Sequence, residues 1–251
     1  MIERAVARFS ADPDVEAVVV GGSVAHGLAQ DDSDVDFLLV VEDDALAARA
    51  DRTFADAGLA DYDGGYADVK LVSRAFLAEV AERGSEPARW EFADAFVAWS
   101  RVDGIEAALA AASAYPEDQR DAKVNDFTAH AVLGVWFLRE AEKRGDRYLL
   151  VWGGSRTALW AGRAVLAHNR MLYPAHKWFL TALGRCPKQP DGFLEALDGL
   201  LADPGSERGA ALVESVQGCV GVRPTIRESA NAFLRRTEWN WRAGGGPFDD
   251  S

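Results

Sequence analysis

The sequence predicts an α+β protein in which an α/β first half with a mixed sheet precedes an all-α second half. Short apolar runs typical of strands occur up to residue 100, and none is convincing beyond it. After a polar break at residues 115–118, apolar side chains recur at helical spacing. The net charge also divides here, at −14 for residues 1–114 and +1 for residues 115–251. We therefore expect domains at 1–114 and 115–243, followed by a flexible tail at 244–251.

The first domain is predicted to alternate helices with strands. A helix over residues 2–10 presents Ile2, Val6 and Phe9 on one face. Apolar runs bounded by turn residues predict four strands, at 16–21, 35–41, 66–72 and 96–100. A short helix joins the first two strands, and three further helices are predicted at 43–57, 73–83 and 104–113.

The second domain is predicted to be helical throughout. Apolar side chains recur at helical spacing over residues 119–144, and residues 147–170 repeat this pattern. Pro174 marks a boundary, because the residue before a proline disfavours the helical conformation. Two more helices are predicted, at 191–202 and 206–239.

The composition favours a globular protein of the cytoplasm. The 251 residues are 49% hydrophobic and 27% charged, and no stretch reaches the roughly 18 apolar residues of a membrane span. The N-terminus lacks a basic segment followed by an apolar core, so no signal peptide is expected. The two cysteines, Cys186 and Cys219, match no metal-ligand spacing, and their number fits a reducing compartment.

The acidic first half bears on the kind of partner. A net charge of −14 over residues 1–114, with no basic stripe, argues against a domain that follows a nucleic-acid backbone. It suits metal binding and a cationic acceptor, although an acidic solvated surface would give the same charge.

The most informative motif is Gly22-Ser23, then ten residues, then Asp34-Val35-Asp36. It lies between two predicted strands, so Asp34 and Asp36 project to the same face at the start of the second one. Two neighbouring carboxylates repel each other and attract a divalent cation, and Mg²⁺ typically takes one or two carboxylates plus substrate phosphates. Backbone amides at a Gly-Ser turn can approach a phosphate closely. The pattern therefore indicates transfer of a nucleotide to an acceptor hydroxyl.

This arrangement resembles the nucleotidyltransferase superfamily that includes the aminoglycoside, lincosamide and minimal nucleotidyltransferases. Gly22, Ser23, Asp34 and Asp36 carry the resemblance, and Gly27 stands where the family often has a second glycine. The resemblance covers about the first 100 residues and implies a third acid on a later strand.

Two residues compete for the place of that third acid. Asp68 lies on the predicted strand 66–72, in surroundings like those of the family's third carboxylate. Asp63 precedes Gly64-Gly65, which is typical of a turn. Asp68 is favoured.

The resemblance implies a role for each of these residues. Asp34, Asp36 and Asp68 would hold one or two Mg²⁺ ions that bridge the triphosphate of a nucleoside triphosphate, with ATP as the expected substrate. Gly22 and Ser23 would bind the β- and γ-phosphates. Asp68 would accept the proton of the acceptor hydroxyl or share the second metal, and pyrophosphate would leave.

The second domain offers further candidates in residues 168–178. This stretch resembles one in the C-terminal domains of bacterial nucleotidyltransferase-like proteins. Lys177 would neutralise triphosphate charge, and Tyr173 would stack on a base or bond a ribose, whereas a lone Lys or Tyr at a helix start is often surface or core. In the first domain, His26 either contacts the nucleotide or stabilises the local helix.

The expected activity is metal-dependent adenylylation of a small hydroxylated molecule, with an aminoglycoside-like antibiotic as the acceptor by superfamily analogy. No motif specific to a known acceptor occurs in the second half. Nucleotide transfer onto a protein (AMPylation) and a nucleotide-binding regulator without catalysis are the alternatives.

Overall fold

The computed structural model describes residues 1–60 and 62–244 and divides the chain into two compact units. The first unit is Met1–Ala114, and the second begins at Tyr115. A mixed sheet with helices occupies the first unit and helices alone form the described part of the second, which confirms the α+β fold class. The predicted tail at 244–251 lies, except for Gly244, outside the described residues.

The first unit is built on a five-stranded sheet. Strands β2 and β4 are parallel at its centre, and the other neighbouring pairs are antiparallel, in the order β3-β4-β2-β1-β5. The strands are β1 Val15–Val20, β2 Val35–Val41, β3 Thr53–Asp56, β4 Ala67–Val72 and β5 Phe96–Ser100.

Helices cover both faces of this sheet. Helix α1 packs on one face through Phe9, whose ring meets Phe37 edge-on at 6.5 Å between centroids. Leu77 of α4 and Leu109 of α6 pack on the other face against Leu38. The helices of the unit are α1 Ile2–Phe9, α2 Gly22–Ala25, α3 Asp43–Ala48, α4 Arg74–Arg83, α5 Glu86–Glu91 and α6 Ile105–Ala112.

The predicted helix over 43–57 is wrong in its second half. Helix α3 ends at Ala48, and β3 follows as an edge strand that pairs antiparallel with β4, with Thr53 opposite Lys70. The alanines of this segment favour a helix, but Thr53 and Phe54 have strand propensity, and the pairing with β4 decides between the two. This edge strand brings Thr53 beside the acidic end of β4.

The second unit contains six α-helices within its described residues. They are α7 Arg120–Arg144, α8 Arg147–His168, α9 Phe179–Gly184, α10 Phe193–Ala202, α11 Ser206–Val220 and α12 Ile226–Phe233. The single helix predicted over 206–239 is wrong, because Gly221 ends α11 at a φ of 75°. Thr225 and Glu228 then form a capping box that starts α12. No helix among the described residues combines the length and apolar character that a membrane crossing requires.

His130 makes the stability of the second unit depend on pH. Its ring is buried on α7 beside Trp160 and Phe233, and burial lowers the pKa of His130 to about 4. Arg156 and Arg236 lower this pKa further, whereas Asp126 opposes the shift. In the unfolded chain a histidine binds its proton near pH 6.5. As the pH falls from about 6.5 to about 4, the unfolded state therefore gains a proton that the folded state does not, and stability is lost.

We expect His130→Gln to remove most of this pH dependence. Between pH 7 and pH 4 the wild type should lose about 3 kcal/mol more of its free energy of unfolding than the variant does. Denaturant unfolding at a series of pH values measures the difference. His168→Gln is the matched control, because His168 is only partly buried and should contribute much less. Equal pH slopes for the wild type and His130→Gln would contradict the prediction.

Candidate functional site

Three aspartates converge at the end of the sheet where β2 and β4 begin. Because these strands are parallel, their first residues lie side by side, and Asp36 is the register partner of Asp68. Asp34 lies two residues before Asp36 and just ahead of β2, which places its side chain on the same side. One carboxylate oxygen from each of the three lies within 4.8 Å of the others, and all three residues are partly buried.

The electrostatics of this cluster favour a cation. Burial raises the pKa of Asp36, the carboxylates of Asp34, Asp68 and Glu91 raise it further, and only Lys70 lowers it. The cluster therefore concentrates negative charge in partly desolvated surroundings, which costs free energy without a compensating cation.

The spacing of the three carboxylates fits one divalent ion. Oxygen ligands on an octahedral Mg²⁺ lie about 3 to 4.2 Å apart, from metal–oxygen distances of about 2.1 Å. Any three ligands of an octahedral ion include at least two adjacent pairs, which lie about 3 Å apart. The oxygens of the cluster lie within 4.8 Å of one another, so the side chains need to close by about 1.8 Å at most. The residues present therefore fit such an ion, with Asp34, Asp36 and Asp68 as its ligands.

Gly22 lies directly against the Asp36 carboxylate. Its φ is +59°, and a Cβ at this position would lie 1.7 Å from Asp36 Oδ2. The backbone N–H of Gly21 also donates to the Asp36 carbonyl at 3.0 Å, which fixes this turn to β2. Both the backbone conformation and the close approach require glycine.

Ser23 provides a buried donor beside this turn. Its side chain is 7% exposed, and its hydroxyl has no hydrogen-bond partner among the described residues. Buried hydroxyls are ordinarily paired, so an unpaired one next to a carboxylate cluster is suited to an anionic group brought there with a metal ion.

Four residues at the cluster, which make three contacts, were not predicted from the sequence. The Tyr66 hydroxyl donates a hydrogen bond to Asp34, which raises the pKa of Tyr66, and Thr53 Oγ1 donates to Asp68 Oδ1 at 3.4 Å. Lys70 forms an ion pair with Glu91. The alternation of β4 could have pointed to Tyr66 and Lys70, each two residues from Asp68, whereas no local signal marks Thr53 or Glu91.

The two other residues of the first unit that the sequence offered as candidates, Asp63 and His26, have surroundings typical of a structural role. Asp63 is exposed in a turn and is not part of the acidic group, whereas Asp68 is. His26 stacks on Trp90 at 3.8 Å between ring centroids, and its Nδ1 lies 3.1 Å from Asp94 Oδ2. The contacts of His26 are those of a residue that stabilises the local structure.

Tyr173 and Lys177 lie in the second unit, between α8 and α9. Tyr173 is fully buried, its hydroxyl is 2.8 Å from His176 Nδ1, and the Arg163 guanidinium lies 4.4 Å from its ring centroid. Such burial leaves no ring face for a nucleotide base, so the surroundings of Tyr173 favour a core role. Lys177 is exposed in a turn, with its Nζ 5.2 Å from the Trp178 ring centroid, and its contact with a triphosphate stays a prediction.

Comparison with known proteins agrees with this geometry. Residues 2–85, about a third of the chain, match the family model described as nucleotidyltransferase domain. The fold is similar to that of a nucleotidyltransferase-like protein from Exiguobacterium sibiricum 255-15, with a TM-score of 0.50, 11% sequence identity and coverage of 96% of this chain and 77% of that one. No curated protein matches the chain in sequence.

The family match coincides with the site. It spans Gly22, Ser23 and all three aspartates of the cluster, and it does not single out the aminoglycoside or lincosamide branch. Over residues 2–85 the chain is thus similar in sequence to a nucleotidyltransferase domain.

Proposed function

We propose that this protein is a metal-dependent nucleotidyltransferase that transfers a nucleoside monophosphate, AMP from ATP, to a hydroxyl of a small molecule and releases pyrophosphate. The convergence of Asp34, Asp36 and Asp68 to within 4.8 Å, directly against the Gly22 backbone, is the observation that carries the proposal.

In this proposal the first unit holds the triphosphate in place. Asp34, Asp36 and Asp68 would bind one or two divalent ions, and Mg²⁺ is the expected ion. When bound, such an ion offsets the negative charge of the triphosphate and acidifies the acceptor hydroxyl. Gly22 leaves room for the Asp36 carboxylate to lie against the turn, and the Ser23 hydroxyl, which is unpaired among the described residues, would donate a hydrogen bond to a phosphate oxygen.

We assign to Asp68 the role of accepting the proton of the acceptor hydroxyl. The acceptor oxygen attacks the α-phosphorus, the bond from that phosphorus to the bridging oxygen breaks, and pyrophosphate leaves with the electron pair. Asp68 accepts the hydroxyl proton as this bond forms. Its Thr53 hydrogen bond is long, at 3.4 Å, so one carboxylate oxygen is held only weakly by the protein.

Incubation of the full chain with ATP labelled at the α-phosphate tests this function. With Mg²⁺ and a panel of hydroxylated small molecules, we expect label in a small-molecule product and one pyrophosphate for each transfer. ATP should also raise the thermal unfolding midpoint with Mg²⁺, and this rise should vanish with excess chelator.

Three other outcomes would contradict the proposal, and each indicates a different function or site. If a cell lysate is added in place of the small molecules and the label appears on a protein, the result would indicate AMPylation. Stabilisation by ATP without turnover under any condition would indicate a regulator, and equal stabilisation with and without chelator would exclude the metal role of the aspartates.

A further inference from the structure

A cavity of about 800 Å³ lies in the first unit next to the acidic cluster. It opens beside the β3–β4 edge of the sheet and under the start of α4, and its volume is within the range of ligand sites. The apolar residues that line it are Leu38, Leu46, Leu71, Val72, Ala75 and Phe76.

Two lining residues connect this cavity to the aspartates. Thr53 lines the cavity, and its hydroxyl is 3.4 Å from Asp68 Oδ1. Lys70 also lines it and follows Asp68 by two residues on the same strand face, a separation of about 7 Å at 3.3 Å per residue. Asp68 itself does not line the cavity, but the end of the cavity at Thr53 and Lys70 is the end nearest to its carboxylate.

The charges around the cavity do not favour a polycation. Both carboxylates in the lining already have cationic partners, since Glu91 is paired with Lys70 and Glu79 with Arg83. Arg52 adds a further positive charge to the lining. The excess negative charge of the site thus belongs to the three aspartates, which the proposed function assigns to the metal, with Asp68 also receiving the proton of the acceptor hydroxyl.

We propose that this cavity binds the acceptor, and that the acceptor is a small molecule with an uncharged apolar body and one hydroxyl that reaches Asp68. The role as acceptor rests on the proposed nucleotidyl transfer, whereas binding in the cavity needs no nucleotide. The apolar lining binds the body by burial of apolar surface. An aminoglycoside, which is polar and polycationic, is disfavoured by the same lining.

Binding of 2-naphthalenemethanol to the full chain, measured by calorimetry without nucleotide, tests the cavity. This probe has a rigid apolar body and one primary hydroxyl, and kanamycin is the polycationic comparison. We expect the naphthalene probe to bind at least tenfold more tightly than kanamycin. With ATP and Mg²⁺, mass spectrometry should then detect its nucleotidyl ester.

Ala75→Trp and Ala78→Trp form a matched pair of variants. Both alanines are exposed on α4, but only Ala75 lines the cavity. The tryptophan at 75 should fill part of the cavity and weaken binding of the probe at least fivefold. The tryptophan at 78 should change the affinity for the probe by less than about twofold. Phe76→Ala changes a second residue of the cavity lining, and the lost apolar contact should weaken binding of the probe by about fivefold.

The outcomes separate this inference from the proposed function. No binding of 2-naphthalenemethanol at millimolar concentration, or equal binding by wild type, Ala75→Trp and Phe76→Ala, would overturn the inference. Tighter binding of kanamycin would also overturn it, even if ATP and Mg²⁺ still gave transfer to another acceptor. Loss of transfer in Asp36→Asn with unchanged probe binding would support both.

Discussion

Asp36→Asn is expected to lower the rate of pyrophosphate release by about a thousandfold or more, equivalent to about 4 kcal/mol of transition-state stabilisation. Asp36 lies at the centre of the cluster, beside Asp68 on the neighbouring strand and against Gly22. Asparagine keeps the shape of the side chain but removes the charge that would hold a divalent ion. Steady-state pyrophosphate release with saturating ATP and Mg²⁺ measures the effect.

The same substitution should not destabilise the fold. Removing one negative charge from a partly buried group of carboxylates relieves repulsion, so the unfolding midpoint without metal should stay equal or rise. Asp63→Asn is the matched control, because Asp63 is an exposed turn acid outside the cluster, and its activity should stay within about twofold of wild type. Activity in Asp36→Asn comparable to that of Asp63→Asn would contradict the assigned role.

Gly22→Ala is expected to lower activity by about a hundredfold. Its Cβ would lie 1.7 Å from Asp36 Oδ2, whereas real Cβ contacts are essentially never under 3.0 Å, so the carboxylate must move by about 1.3 Å. A displacement of about 1 Å in a reacting constellation can cost about a hundredfold in rate. Metal-dependent stabilisation by ATP should weaken with it.

Gly27→Ala separates this clash from backbone strain. Gly27 has a similar φ of +65°, but a Cβ added there would have no described atom within 4 Å, so alanine meets only the conformational penalty. We expect a loss of about 1 kcal/mol of stability and activity within about threefold of wild type. Equal losses of activity in the two variants would show that strain, and not the Asp36 contact, controls the site.

The parts of the site that are local in sequence could be predicted. The turn at Gly22 and Ser23 and the pair Asp34 and Asp36 lie within fifteen residues, and strand alternation alone puts the two acids on one face. The sequence leaves both Asp68 and Asp63 as candidates for the third acid, because no local pattern indicates that β4 pairs with β2 in parallel. The register that sets Asp68 beside Asp36 is a tertiary fact.

The rest of the site depends on contacts between distant residues. The short strand β3 follows an alanine-rich segment that favours a helix, so the hydrogen bond from Thr53 to Asp68 and the cavity beside it could not be foreseen. Glu91 reaches Lys70 from α5, a helix that the sequence pattern does not predict. In the second unit, the sequence marks Tyr173 as a polar residue in an apolar setting, but not its packing against Arg163.

The position of a bound divalent ion tests the central claim most directly. In crystals of the full chain soaked with Mn²⁺ and a non-hydrolysable ATP analogue, anomalous scattering should place manganese about 2.0–2.6 Å from oxygens of Asp34 and Asp36, with the triphosphate beside Gly22 and Ser23. Asp36→Asn should lose this peak. Manganese and triphosphate bound elsewhere, with the three aspartates free of metal, would contradict the account.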